Sequence, residues 1–127
     1  MIGVDLKNHC EANTPSATGG FFMSRAPARI TDRFVVQRLI AKTDSEMGTM
    51  RARYQFDIYA VDPDGFGKVK TIADELTTAI RSFQTSAHDD YFASYRAVEM
   101  EVYNPDVNYY RVMLDAIIYF DERKIFS

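Results

Sequence analysis

Three carboxylates are the first candidates for chemistry. Asp57 lies in an alternating stretch over residues 49–61, and Glu99 and Glu101 lie two apart in another over 91–103. Residues two apart in a strand share a face. A sheet joining these strands could gather Asp57, Glu99 and Glu101 around Mg²⁺, the arrangement of a small metal-dependent hydrolase such as a nuclease. Such a site usually keeps a lysine nearby, and the strand around Glu99-Met100-Glu101 has none. His9-Cys10-Glu11 sets a base beside a thiol, but a cysteine nucleophile needs a positioned base and a shaped site, which chain neighbours alone do not supply. Two histidines (His9, His88) and one cysteine, widely separated, match no zinc spacing. Gly65 and Gly67 flank Phe66 without a phosphate-loop pattern. The expectation is therefore no catalytic, cofactor-binding or metal residue and no enzyme, with the hydrolase kept as an alternative.

A different use fits the same strands. Arg51, Arg53, Asp57 and Tyr59 alternate along one, Glu99, Glu101 and Tyr103 along a second, and Arg111 and Asp115 along a third. Tyr95, Tyr109, Ile117 and Tyr119 join them on what reads as one polar face. This face is either solvated, with cross-strand charge pairs worth roughly 0.2–1 kcal/mol each, or covered by another subunit. Mixed Tyr, Arg and aliphatic residues are what interfaces favour. On this pattern Phe56→Asp is expected to abolish folding and Asp57→Ala to leave the monomer intact.

The element that must position these residues is the unit over 49–84. Thr49 to Val61 puts Met50, Ala52, Tyr54, Phe56, Ile58 and Ala60 on one side and the polar set on the other, the signature of a half-buried strand. Asp62-Pro63-Asp64-Gly65 ends it. Phe66, Val69, Ile72, Ala73, Leu76, Ala79, Ile80 and Phe83 then recur at helical spacing. A strand and a helix with one apolar face each bury those faces together. Further strands are expected at 21–24, at 33–42 (where a helix competes, because the alternation is poor), at 91–103 and at 109–121. In the third, Arg96, Val98, Met100 and Val102 read as the core side. The polar stretches Lys42 to Gly48, Thr85 to Asp90 and Asn104 to Asn108 read as connections. The expected fold is α+β: a mostly antiparallel sheet of about five strands with one long helix on one face. Residues 1–20 read as an extended N-terminal arm, ordered most easily by a neighbouring chain, and 21–127 as one α+β domain.

Composition bounds the rest. The chain has 127 residues, is 46% hydrophobic, and carries a net charge of −3. That supports a core without staples and gives no global basic field for nucleic acid or an anionic membrane. One cysteine excludes an internal disulfide framework. No apolar run approaches membrane-spanning length and no signal peptide is visible, so a protein made in the cytoplasm is expected.

Several of these stretches resemble a known family. Phe22-Met23-Ser24-Arg25-Ala26-Pro27, Phe34-Val35-Val36-Gln37, Arg53-Tyr54-Gln55-Phe56-Asp57-Ile58-Tyr59-Ala60, the helix with Ile72-Ala73-Asp74-Glu75-Leu76, and Tyr110-Arg111-Val112-Met113-Leu114-Asp115 are similar to the tail terminator, or tail completion, proteins of long-tailed bacteriophages. Members commonly open with an amphipathic helix before the first strand, and residues 1–20 show no such pattern of useful length. The resemblance implies a structural virion protein of the tail and neck. It would form a homo-oligomeric, hexameric ring at the head–tail junction, capping the tail tube protein and joining it to the head connector or stopper protein. DNA would pass through the lumen without sequence-specific binding, no cofactor would be held, and no membrane would be involved. The loops 43–46 and 87–90 would face the lumen or the neighbouring ring. Another neck or connector component is the near alternative. A small ligand- or peptide-binding domain, with a pocket between helix and sheet, is the distant one.

Overall fold

The computed structural model describes residues 2–25, 33–44, 49–61, 65–83, 91–104 and 109–121, and for 91–104 the description is of the backbone. In chain order these form α1 (Ile2–Ala12), β1 (Gly20–Met23), β2 (Phe34–Asp44), β3 (Thr49–Val61), α2 (Gly65–Arg81), β4 (Tyr91–Asn104) and β5 (Tyr109–Asp121). The strands make one sheet in the order β1-β2-β3-β5-β4. β3 is central and antiparallel to both neighbours, with Phe56 opposite Gln37 on β2 and Leu114 on β5.

The alternation of β3 decides where the core lies. Met50, Ala52, Tyr54, Phe56, Ile58 and Ala60 are buried on one side, joined across the ladder by Val112, Leu114, Ala116 and Ile118. α2 lays Val69, Ile72, Ala73, Leu76, Ala79, Ile80 and Phe83 onto that side, and all are buried in the same cluster. Each fully buried aliphatic or aromatic side chain contributes about 1.5–3 kcal/mol relative to exposure. The outer side of α2 carries threonines whose hydroxyls are met locally. Thr71 donates to the Gly67 carbonyl and Thr77 to that of Ala73, one turn back.

Two features correct the fold expected from sequence. β1 pairs parallel to β2, Gly20 with Phe34 through Met23 with Gln37, so the sheet is mixed. Residues 2–12 are helical, so there are two helices, and the segment is no extended arm. The α1 stripe is narrow. Leu6 and Cys10, one turn apart, are its fully buried apolar side chains, and two such positions are too few to show as a periodic pattern. Its end is tied down: Thr14 Oγ1 donates to the Cys10 carbonyl at 2.6 Å. Beyond it, the Ser16 backbone N–H and hydroxyl both donate to the Glu75 carboxylate on α2. The order of this segment therefore comes from its own chain.

β1 begins at Gly20, whose φ of +121° is one that L side chains rarely adopt, and a Cβ there would fall 2.6 Å from the Phe22 ring. β2 carries an irregularity that explains its poor alternation, and the β4 ladder carries one as well. In β2 the register shifts between Leu39 and Ala41, so Ile40 has no partner on β3 and the faces exchange beyond it. In β4 the ladder to β5 is interrupted between the pairs Arg96–Asp115 and Met100–Met113. Lys42 to Asp44 and Asn104, expected in connections, are paired strand residues instead, because the β2–β3 and β4–β5 ladders run on to them; the rest of the expected turns, at 45–48, 62–64, 85–90 (with His88) and 105–108, lies outside the described residues.

Candidate interface on the uncovered sheet face

The side of the sheet away from α2 has no helix over it among the described residues, yet it is not simply solvated. Asp57, in the middle of β3, is 0% exposed. Its Oδ1 accepts from Gln55 Nε2 at 2.9 Å and lies 3.0 Å from Arg111 Nη2, within ion-pair range. Its Oδ2 faces Arg38 Nε at 3.4 Å, ion-pair range without a hydrogen bond. The register brings these groups together: Arg38 stands opposite Gln55 and Arg111 opposite Tyr59, each diagonal to Asp57. Both guanidinium groups lie against the carboxylate, which is fully buried with no helix over it among the described residues. Two cations beside one buried anion compensate its desolvation.

An aromatic pair extends the cluster. Phe34 stacks on Tyr59 with ring centroids 4.8 Å apart and planes 16° from parallel. The Arg111 guanidinium lies 5.5 Å from the Tyr59 centroid. Further along, Arg53 Nη2 donates to Asp115 Oδ2 at 2.5 Å. Arg53 is 51% exposed and its partner nearly buried. Val36 is buried here, opposite Asp57. Three arginines against two aspartates leave this patch with one net positive charge, before Arg51 is added at its exposed margin.

Of the nine residues expected at the interface, Arg51, Arg53, Asp57, Tyr59, Arg111 and Asp115 share this face. So do Ile117, Tyr119 and Tyr109, each opposite an odd-numbered residue of β3. Glu101 and Tyr103 are not with them. The ladder sets Glu101 opposite Val112 and Tyr103 opposite Tyr110, positions of the α2-covered side, and Tyr95 opposite Ala116. Arg96, Met100 and Val102 pair instead with Asp115, Met113 and Arg111 of the uncovered side. The side assignment of β4 is thus reversed from the sequence expectation. Pairing with β5, which must turn Val112 and Leu114 to α2, outweighed the apolar set on β4. Glu99 falls in the interrupted stretch. The carboxylates Asp57, Glu99 and Glu101 therefore do not converge: Asp57 and Glu101 occupy opposite sides of the sheet, with β5 between their strands. Arg38, Phe34, Val36 and Gln55 belong to the cluster and were not singled out. Only the register of β2 and β5 on β3 joins them to Asp57.

The remaining chemical candidates have structural work. His9 Nε2 lies 2.8 Å from the Ala79 carbonyl and 3.2 Å from Ser82 Oγ, with its ring 5.5 Å from that of Phe83. Cys10 is buried, and burial pushes its thiol up to about 12, far from the thiolate a nucleophile requires. The space between α2 and the sheet is filled by the core cluster. A cavity of about 350 Å³ lies instead between α2 and the end of α1, lined by Asn13, Asp74, Glu75, Thr78, Ala79 and Ser82. Among the described residues no helix is long and apolar enough to cross a membrane.

No protein-family model matches the chain, and no curated protein matches it. Among solved structures it is similar to a chain described as belonging to the virion of a native gene transfer agent particle. The two share a TM-score of 0.66 and 12% identity over 91% of each chain. At that identity the likeness shows a common fold.

Proposed function

We infer that this chain is a structural virion protein, a tail terminator or completion protein forming a hexameric ring at the head–tail junction. It would cap the tail tube and join it to the connector. The observation that carries this is the fold shared, over nearly the whole of both chains, with a chain from a gene transfer agent virion. α1 adds support. Members of the resembled family open with a helix before the first strand, and residues 2–12 supply one. The uncovered face, built from Arg38, Arg53, Tyr59 and Arg111 around a buried Asp57, has the arginine and tyrosine content of a protein interface. A chain of this kind performs no catalysis. The separation of Asp57 from Glu101 across the sheet counts against the hydrolase alternative.

The test is the composition of purified particles. Quantitative mass spectrometry should find this chain in the virion at the low copy number of one hexameric ring per particle. Its absence, or a copy number matching the shell or the tail tube, would refute the assignment.

A further inference from the structure

Among the described residues the sheet has two unlike open edges. β1 covers only the first four residues of β2, Phe34 to Gln37. The last backbone bond of this pairing among the described residues is the Ser24 N–H donating to the Gln37 carbonyl at 2.8 Å, at a residue with φ +69°. From Arg38 to Asp44 the outer edge of β2 has no strand beside it among the described residues. Three of the four large exposed apolar side chains among those residues gather here. Leu39 is 54% and Ile40 47% exposed, and Met23 marks the point where β1 stops. At the other end of the sheet β4 presents a fourteen-residue edge, also without a strand beside it among the described residues. Open edges with apolar residues are templates for pairing with another chain.

We propose that the Arg38–Asp44 edge of β2 pairs antiparallel with the β4 edge of a second copy of this chain, extending the sheet from one subunit to the next. The topology fixes the direction. β2 runs antiparallel to β3, β3 to β5 and β5 to β4, so β2 and β4 run opposite ways. A second copy placed in the same orientation therefore brings its β4 antiparallel to β2, the more stable kind of ladder. Seven residues at about 3.4 Å each give an overlap of roughly 24 Å. Because the joined edges differ, the contact is head-to-tail, and it closes into a ring when the rotation between copies allows. All α1–α2 layers then lie on one wall and all Asp57 clusters on the other. Pairing β2 with β2 would leave both long β4 edges open, so it is the weaker choice. The proposal rests on the ring reading above for the identity of the assembly, and it specifies the seam.

Sedimentation of the purified full chain over a range of concentrations, with hydrogen exchange read by peptide, tests it. The unchanged protein should assemble beyond a dimer. Amides in 38–44 and in a stretch of 91–104 should then slow together by at least about tenfold. The double variant Leu39→Lys/Ile40→Lys should keep the melting temperature of the unchanged chain at a dilution where both are dissociated but lose assembly by tenfold or more, whereas Thr71→Lys on exposed α2 should assemble normally. Four outcomes would overturn the seam: normal assembly of the double variant, protection of 38–44 without 91–104, growth that stops at a dimer, or a strictly monomeric chain. None of these bears on whether the chain is in the particle. Conversely, absence from the particle with the edge contact intact would remove the virion assignment alone.

Discussion

Asp57 is the residue at which the uncovered face is most exposed to experiment. Asp57→Ala removes a fully buried carboxylate and leaves Arg38 and Arg111 facing each other without it. Breaking a buried ion pair by deleting one partner costs about 3–5 kcal/mol when the survivor stays buried. Here Arg38 is 42% exposed and Arg111 is partly exposed, so both regain water and the loss falls. The hydrogen bond from Gln55 to a charged acceptor disappears as well. The expected net loss is about 2–3 kcal/mol, a Tm lower by about 6–15 °C for a chain of this size. The half-exposed Arg53–Asp115 pair is the internal control: Arg53→Ala should cost about 1 kcal/mol or less. Urea unfolding of Asp57→Ala, Asp57→Asn and Arg53→Ala side by side reads the difference. If Asp57→Ala and Arg53→Ala agree within about 0.5 kcal/mol, Asp57 is a surface charge and the buried-hub geometry is wrong.

Three further outcomes follow from named contacts. Phe56→Asp places an uncompensated charge at a fully buried position on the α2 side and should leave no cooperative unfolding transition by circular dichroism. Burial raises Cys10 from 9.0 and Tyr54 from 10.0, each to about 12. The native state thus holds both protons where the unfolded chain has lost them. That stabilisation is complete below about pH 9 and is lost as pH rises toward 12. Cys10→Ala should flatten the alkaline decline in unfolding free energy, and an unchanged slope would mean the thiol is accessible. Gly20→Ala puts a Cβ against the Phe22 ring at a strained φ and should lower stability by more than about 1 kcal/mol, whereas Gly67→Ala, with open space around it, should not.

Much of the layer structure was legible because β3 and α2 have strong and different periods. The six even-numbered residues of β3 and the seven from Val69 to Phe83 are buried as their spacing predicts. α1 was missed because two buried side chains, Leu6 and Cys10, hold it, and its remaining attachments are polar and distant in sequence, as with Ser16 on Glu75 and His9 on Ala79. The parallel pairing of β1 was missed because a four-residue strand carries no information about direction. The reversed side of β4 has a different cause. An edge strand with apolar residues in both sets takes its orientation from its partner, and that partner, β5, is constrained by α2. The burial of Asp57 was hidden for a related reason. Alternation placed it on the polar face, but only the register of β2 and β5 shows Arg38 and Arg111 meeting over it. Asp57→Ala, expected from sequence to leave the monomer intact, is therefore now expected to cost stability as well.

An asymmetric reconstruction of the head–tail junction of purified particles would show the chain in place. The expected density is a closed ring between tail tube and connector, with this two-helix, five-stranded fold in each subunit and each copy's β2 beside its neighbour's β4. A junction whose rings are all built from other folds, with this chain placed elsewhere in the particle or missing from it, would contradict the account.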